Sequence, residues 1–317
     1  MKNFWEKLPQ PILALAPMAG VTDAAFRIMC KRGGADVIYT EFASSDALIY
    51  GSEKTTDMIS FTKEESPVVV QIFGKDPKMM FKATKKVQEL GFDGVDINFG
   101  CPAYKVVRHG GGVCLMRNLP LVREIVSAVT EAATEIPVSI KIRGSIKSED
   151  KKTTTHAIDL MNVIKDLPVK ALMIHGRSFE KPFDGELDTN SITDVVRMFP
   201  GIILANGGVN SPEKAQSLLH ETGAQGLGIA RGAWGKPWIF SQIKDYLQTG
   251  AYKEKSRDEL NAAIIEHAQL AFKMKNRHGI IELRKHLSWY VKGMEGASLL
   301  RQQLVSASSI EDIQKII

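Results

Sequence analysis

Eight short apolar runs spaced along most of the chain constrain its fold more than any other feature. They read ILALAP (12–17), VIYTE (37–41), VVVQIF (68–73), GVDIN (94–98), VSIKIR (138–143), ALMIHGR (171–177), IILANGG (202–208) and GLGIARG (226–232). Near-continuous apolar strands alternating with amphipathic helical patterns indicate a parallel sheet covered on its outer face. Asp76-Pro77 and Ser211-Pro212-Glu213 each set an N-cap residue before proline at the first helical position. Asn118 opens a further helix to about Ala133, with Val122, Ile125, Val126 and Val129 at helical spacing. Eight strand–helix units predict an α/β fold, a (β/α)8 TIM barrel. The alternative, a doubly wound open sheet, is disfavoured by the unit count and by the lack of an early GxGxxG.

In such a barrel the active site lies at the C-terminal ends of the strands. Polar residues collect at that edge: Glu41, Gln71, Asn98 with Cys101, Lys141 with Arg143, His175 with Arg177, and Asn206. The fourth run continues through GVDINFGCPAYKVVRHGGGVCLM (94–116), a strand that runs into a thiol and a glycine-rich loop. Loops on a rigid scaffold are where catalytic groups usually sit. Read alone, the same stretch also suits a structural turn holding two buried cysteines, which pack as small apolar residues. After the last two strands, Asn206-Gly207-Gly208 and Gly228-Ile229-Ala230-Arg231-Gly232 fit a phosphate site built from loop amides and one arginine.

Beyond Gly250 the strand pattern stops and three or four helices follow, with Leu260, Ile264, His267 and Ala271 on one face. Ile281, Leu283, Leu287 and Tyr290–Val291 mark a second face. The segment TGAYKEKS (249–256) is the expected boundary between a catalytic domain, 1–250, and a helical domain, 251–317. The formal net charge of +5 says little by itself. Between Lys273 and Arg301, however, seven Lys/Arg face only two Glu, an excess equal to that of the whole chain. Arg284, Lys285 and His286 beside Trp289 and Tyr290 put cations next to aromatics, a pattern suited to RNA. A solvated helical face over core aromatics is the plainer alternative. Three cysteines make no disulfide framework and no pair has metal-site spacing, so no metal and a reducing cytoplasm are expected. The first twenty residues suit neither a signal peptide nor a membrane span.

Together these motifs resemble the tRNA-dihydrouridine synthases, FMN enzymes that reduce specific tRNA uridines with a nicotinamide cofactor. The resemblance runs through APMAGVTD (16–23), FRIMC (26–30), TEF (40–42), VQIFG (70–74) and DINFGCP (96–102). It continues through the KV-then-glycine loop (105–112), VSIKIRG (138–144), HGR (175–177), ANGG (205–208), GIARGAWGKPWIF (228–240) and RKHLSWY (284–290). It implies that Pro17, Met18 and Ala19 pack along the flavin and that Gln71 and Lys141 hydrogen-bond its ring. Lys141 would set positive charge at the reduced flavin's anionic edge. His175 would lie beside the cofactor, and Asn206, Gly207, Gly208, Ala230 and Arg231 would hold its phosphate. Ala230 stands where many relatives have glycine. Asn98, Arg143 and Arg177 would face the uracil or nearby RNA, and Arg284, Lys285 and His286 would grip the tRNA.

Reducing the uracil C5–C6 bond needs a hydride at C6 and a proton at C5. Cys101 is the candidate acid, since a thiol with pKa around 8.5 is mostly protonated at neutral pH. Cys114 is a second thiol nearby, while Cys30 is expected to pack in the core. Glu41 fits either the substrate site or a pairing with Arg143. The uridine would be turned out of the RNA into the barrel, under a lid formed by Val106–Val113. NADPH or NADH would visit only transiently, and a monomer is the simplest assembly. An FMN barrel acting on a free pyrimidine-like molecule is the main competing reading, and a flavin-free RNA-binding protein is a third.

Overall fold

The computed structural model describes residues 3–108 and 110–317. Its strands are β1 (Ile12–Leu15), β2 (Val37–Ser44), β3 (Val68–Phe73), β4 (Gly94–Phe99), β5 (Val138–Lys147), β6 (Thr154–His156), β7 (Ala171–Ser178), β8 (Ile202–Asn206) and β9 (Gly226–Ile229). All but β6 correspond to the eight apolar runs. They pair in parallel in the order β4-β3-β2-β1-β9-β8-β7-β5, and a β4–β5 ladder closes the ring. The TIM barrel expected from the sequence is present. The short β6, which runs antiparallel to the end of β5 from Ser145↔His156 to Lys147↔Thr154, was not expected. Its polar residues give no apolar signal.

The two faces of each strand do different work, as a side-chain period of two dictates. Along β5, Ile140 and Ile142 point outward into the layer between barrel and helices, in the same buried cluster as Val126, Val129 and Leu160. Ser139, Lys141 and Arg143 take the alternate positions, inward. The lower interior is apolar: Trp5, Ile12, Ala14, Val37, Tyr39, Val69, Met173 and Leu204 form one cluster. Polar side chains occupy the layers above it, toward the strand C-termini, and that gradient turns one end of a packed barrel into a mouth.

Local signals start and stop the outer helices. Asp76 accepts N–H bonds from Lys78 and Met79 to open Pro77–Glu89, and Asn118 caps Leu119–Ala132 through the amide of Leu121. Pro212–Thr222 starts at Ser211 and ends at Gly223, whose φ of +66° suits glycine.

From Arg257 the chain is helical: Arg257–Tyr290, Ala297–Leu304 and Ile310–Ile316. The first breaks at Lys275–Asn276, where Asn276 has φ +50°, so it is two arms. These helices share a core with the barrel's first helix, Ala24–Arg32, through Ala25 and Met29. No helix among the described residues is long and apolar enough to cross a membrane.

Candidate active site at the strand ends

Sheet register assembles the site. Gln71 pairs with Asp96, Asn98 with Lys141, Arg143 with His175, His175 with Asn206, and Asn206 with Gly228. Residues far apart in sequence therefore stand side by side around one rim. Lys141 Nζ donates to Asn206 Oδ1 at 3.2 Å, and Asn206 Nδ2 donates to the Gly228 carbonyl. Arg177 Nη1 lies 3.3 Å from His175 Nε2.

A second network runs beneath Cys101. Gln71 Nε2 donates to Asp96 at 2.7 Å, and Asn98 Nδ2 donates to Gln71 Oε1 at 2.9 Å. Asn98 Oδ1 then accepts the amides of Gly100 and Cys101, at 3.1 and 2.9 Å. Arg143 is buried; its Nε donates to the Gly100 carbonyl at 2.9 Å and its Nη1 to that of Ser178. Its Nη2 has no protein partner among the described residues. Cys101 is half-buried, its sulfur 3.4 Å from the Ala103 amide.

The charges around the mouth are mostly of one sign. Lys141, Arg143, Arg177 and Arg231 make no salt bridge among the described residues. Burial, reinforced by the neighbouring Arg143, lowers the Lys141 pKa to about 8. Burial and then the four cations drive His175 down to about 2, so its imidazole is neutral. Burial pushes the Cys101 thiol up, against the opposing Ala103 amide, Lys141 and Arg143. A protonated sulfur is the result. Asp96, beneath them, is raised to about 6 by burial.

The glycines of the expected phosphate loop have the backbone that the role requires. Gly207 and Gly208 have φ of +128° and +74°, and a Cβ on Gly207 would meet Leu187 Cδ1 at 2.5 Å. Ala230 has φ −108°, which needs no glycine. Arg231 donates to the Phe183 carbonyl and lies over the Phe183 ring. Pro17 and Met18 are half-buried and Ala19 is exposed at the end of β1, with Trp234 Nε1 3.2 Å from Met18 Sδ.

Elsewhere the structure corrects the sequence reading. Glu41 accepts the Gly20 amide rather than pairing with Arg143. Cys114 is half-buried, with Arg117 Nη1 4.0 Å from its sulfur, and Cys30 is fully buried as expected. In the loop expected to act as a lid, Val106 and Val113 are buried and the Val113 amide donates to the Cys101 carbonyl. His109 of that loop lies outside the described residues.

His286 is not an RNA contact: its ring is fully buried, 4.6 Å from Phe26 and 4.9 Å from His267, centroid to centroid. Trp289, half-buried, stacks on Trp234 at 4.2 Å, and the buried Tyr290 bonds His267 Nδ1 through Oη, so both aromatics are engaged in packing. Arg284 is tied to the carbonyls of Ser306 and Ala307 as a strut between helices. Lys285 remains half-exposed, and Lys273, Arg277 and Lys292 are exposed. Ile281 is 44% exposed; Ile280 takes the core position instead. Sequence reasoning missed Asp96, although it lies two residues before Asn98 on the same inward face.

The chain is similar to several known proteins. A tRNA-dihydrouridine synthase B from Pseudomonas aeruginosa is 36% identical over 293 residues, 92% of this chain and 87% of that protein. One from Shewanella oneidensis is 36% identical over 88% of this chain and 86% of its own length. In fold, the chain is similar to morphinone reductase in complex with tetrahydroNAD, with TM-score 0.53 and 13% identity, covering 81% of this chain and 92% of that one. It is also similar to histamine dehydrogenase from Rhizobium sp. 4-9, with TM-score 0.56 and 12% identity, over 81% of this chain and 48% of that one. A sequence model of the dihydrouridine synthase family (Dus) matches residues 14–315, and the chain belongs to that family.

Proposed function

We propose that this chain is a tRNA-dihydrouridine synthase, reducing the C5–C6 double bond of specific tRNA uridines with FMN and NADPH or NADH. The observation that carries the reading is the ring of Lys141, Arg143, Arg177 and Arg231, without paired carboxylates among the described residues, around a protonated Cys101. That donor set fits FMN: positive-φ glycines at Gly207 and Gly208 beside Arg231 suit a phosphate, and a cationic Lys141 suits an electron-rich ring. FMN, when bound, would supply the hydride for the reduction.

The protein's own residues do the rest. Pro17, Met18 and Ala19 would line one edge of the cofactor site, Gln71, Lys141 and His175 would hold the ring, and Asn206 and Ala230 would complete the phosphate loop. Neutral His175 offers a hydrogen bond without adding charge. Cys101 Sγ gives its proton to C5 as the C5–C6 π bond breaks, and solvent restores the thiol. Asn98, Arg143 through Nη2 and Arg177 hold the uracil, which leaves its stack to reach them. The segment 251–317 forms a helical domain that meets the tRNA through Lys285 and the exposed Lys273, Arg277 and Lys292. All these groups come from one chain, so a cytoplasmic monomer suffices.

The test is the nucleoside profile of tRNA from a strain lacking this protein and any redundant relative. The reading requires uridine in place of dihydrouridine at one or more positions; an unchanged profile contradicts it. The alternative, reduction of a free pyrimidine, predicts no change in tRNA and leaves the exposed cations of the tail without a role.

A further inference from the structure

Beneath the mouth lies a buried ionisable group to which the reaction above gives no role. Asp96 is fully buried on β4 with its carboxylate inside the barrel, bonded to Gln71 Nε2 at 2.7 Å and to Ser139 Oγ at 2.6 Å. Ser139 Oγ in turn lies 3.3 Å from Tyr39 Oη. A carboxylate with both oxygens engaged in this way only accepts. Gln71 must therefore present its amide nitrogen to Asp96 and its oxygen to Asn98. Asn98 must answer with its own nitrogen, which leaves Oδ1 as the atom facing the amides of Gly100 and Cys101. Each amide in the chain fixes the direction of the next. Reversing Asn98 would set its NH2 against the backbone N–H of Cys101, and reversing Gln71 would set its oxygen against the Asp96 carboxylate, like groups face to face in a buried place.

We propose that Asp96 is a positioning residue: acting through Gln71 and Asn98, its carboxylate fixes the polarity of an amide chain that holds the Gly100–Cys101 turn and so aims the thiol. The chain also joins the two halves of the chemistry. Gln71 stands in the cofactor set and Cys101 in the substrate set, and one buried acceptor orders both. The catalytic part of this inference rests on the reaction proposed above; the structural part does not.

Two substitutions separate this role from general stability. Asp96→Ala removes the acceptor. Asp96→Asn keeps one, because asparagine can accept from Gln71 while its NH2 donates to the hydroxyl of Ser139. The first readout is amide hydrogen exchange at Gly100 and Cys101 in flavin-free protein. Asp96→Ala should speed it roughly tenfold while amides of the Leu119–Ala132 helix are unchanged, and Asp96→Asn should stay within about twofold of wild type. The second readout is kinetic: in Asp96→Ala, kcat for tRNA falls roughly tenfold or more with KM within about twofold.

Wild-type exchange in Asp96→Ala, or an Asp96→Asn variant as damaged as Asp96→Ala, overturns the proposal. Should Asp96→Ala not fold, Gln71→Leu interrupts the chain one step later and must produce the same local exchange, and its absence there counts equally against the proposal. Altered exchange in a protein that reduces no tRNA would leave the positioning role standing and remove the reaction instead.

Discussion

The barrel mouth and the junction between barrel and helical tail both bury histidine among aromatic and basic residues, yet they treat it oppositely. At the mouth, His175 is half-buried beside four cations, and Arg143 Nη2 has no protein partner among the described residues. At the junction, His267 and His286 are sealed between Phe26, Trp289 and Tyr290, with Lys285 outside. The sequence signals look alike, HGR in one place and RKH in the other. A strand end directs inward-facing side chains into the barrel mouth, whereas a helix face directs them into whatever packs against it. The same residue types read as chemistry in the first place and as packing in the second.

The largest effect expected on the mouth side is that of Cys101→Ala. Losing a general acid should lower kcat roughly 10²–10⁴-fold while FMN binding, followed by flavin fluorescence, changes little. Cys114→Ala should leave kcat within about twofold, and a reversal of that order would move the acid role to Cys114. On the junction side, His286→Ala should cost about 3 kcal/mol of stability by urea unfolding, as truncating a buried ring does. KM for tRNA should hold for the fraction that stays folded. A raised KM with normal stability would return His286 to the RNA surface.

Acid should strain both regions. His175 and His267 are held at about 2 and about 4, chiefly by burial. In the unfolded chain each titrates near 6.5, so below that pH the unfolded state binds more protons and stability is lost as pH falls. At pH 5 each removes about 2 kcal/mol. Asp96 works the other way: with its folded pKa raised to about 6, it favours the folded state by about 1 kcal/mol at pH 5. Burial lowers His286 at the junction as well, so stability should fall between pH 7.5 and 5, and His267→Phe should remove about 2 kcal/mol of that loss. The smallest effect is at the surface, where Lys273→Ala should weaken tRNA binding by a few fold and lower the salt slope by about one.

The barrel was legible because buried parallel strands are continuous apolar runs, and the mouth because polar residues end so many of them. Asp96 was not: it shares the inward face with Asn98, two residues on, but it lies inside the strand rather than at its end, where the polar residues were sought. The tail was misread over its phase. Residues 280, 283, 287 and 290 follow helical spacing and are buried, whereas Ile281 breaks that spacing and is exposed. His286 shares the buried stripe with Gly279, Leu283 and Tyr290, a pattern that spacing alone could have revealed. The tail's partner in this packing, the helix carrying Phe26, lies more than two hundred residues upstream, beyond the reach of any local pattern.

The most direct measurement mixes anaerobically reduced, FMN-loaded protein with tRNA lacking dihydrouridine. One would follow flavin absorbance while counting dihydrouridine by mass spectrometry. The account predicts reoxidation with one dihydrouridine formed per flavin, slowed in Cys101→Ala. Reoxidation by free uracil or orotate with tRNA untouched would contradict it, and would hand the same barrel to a small-molecule reductase.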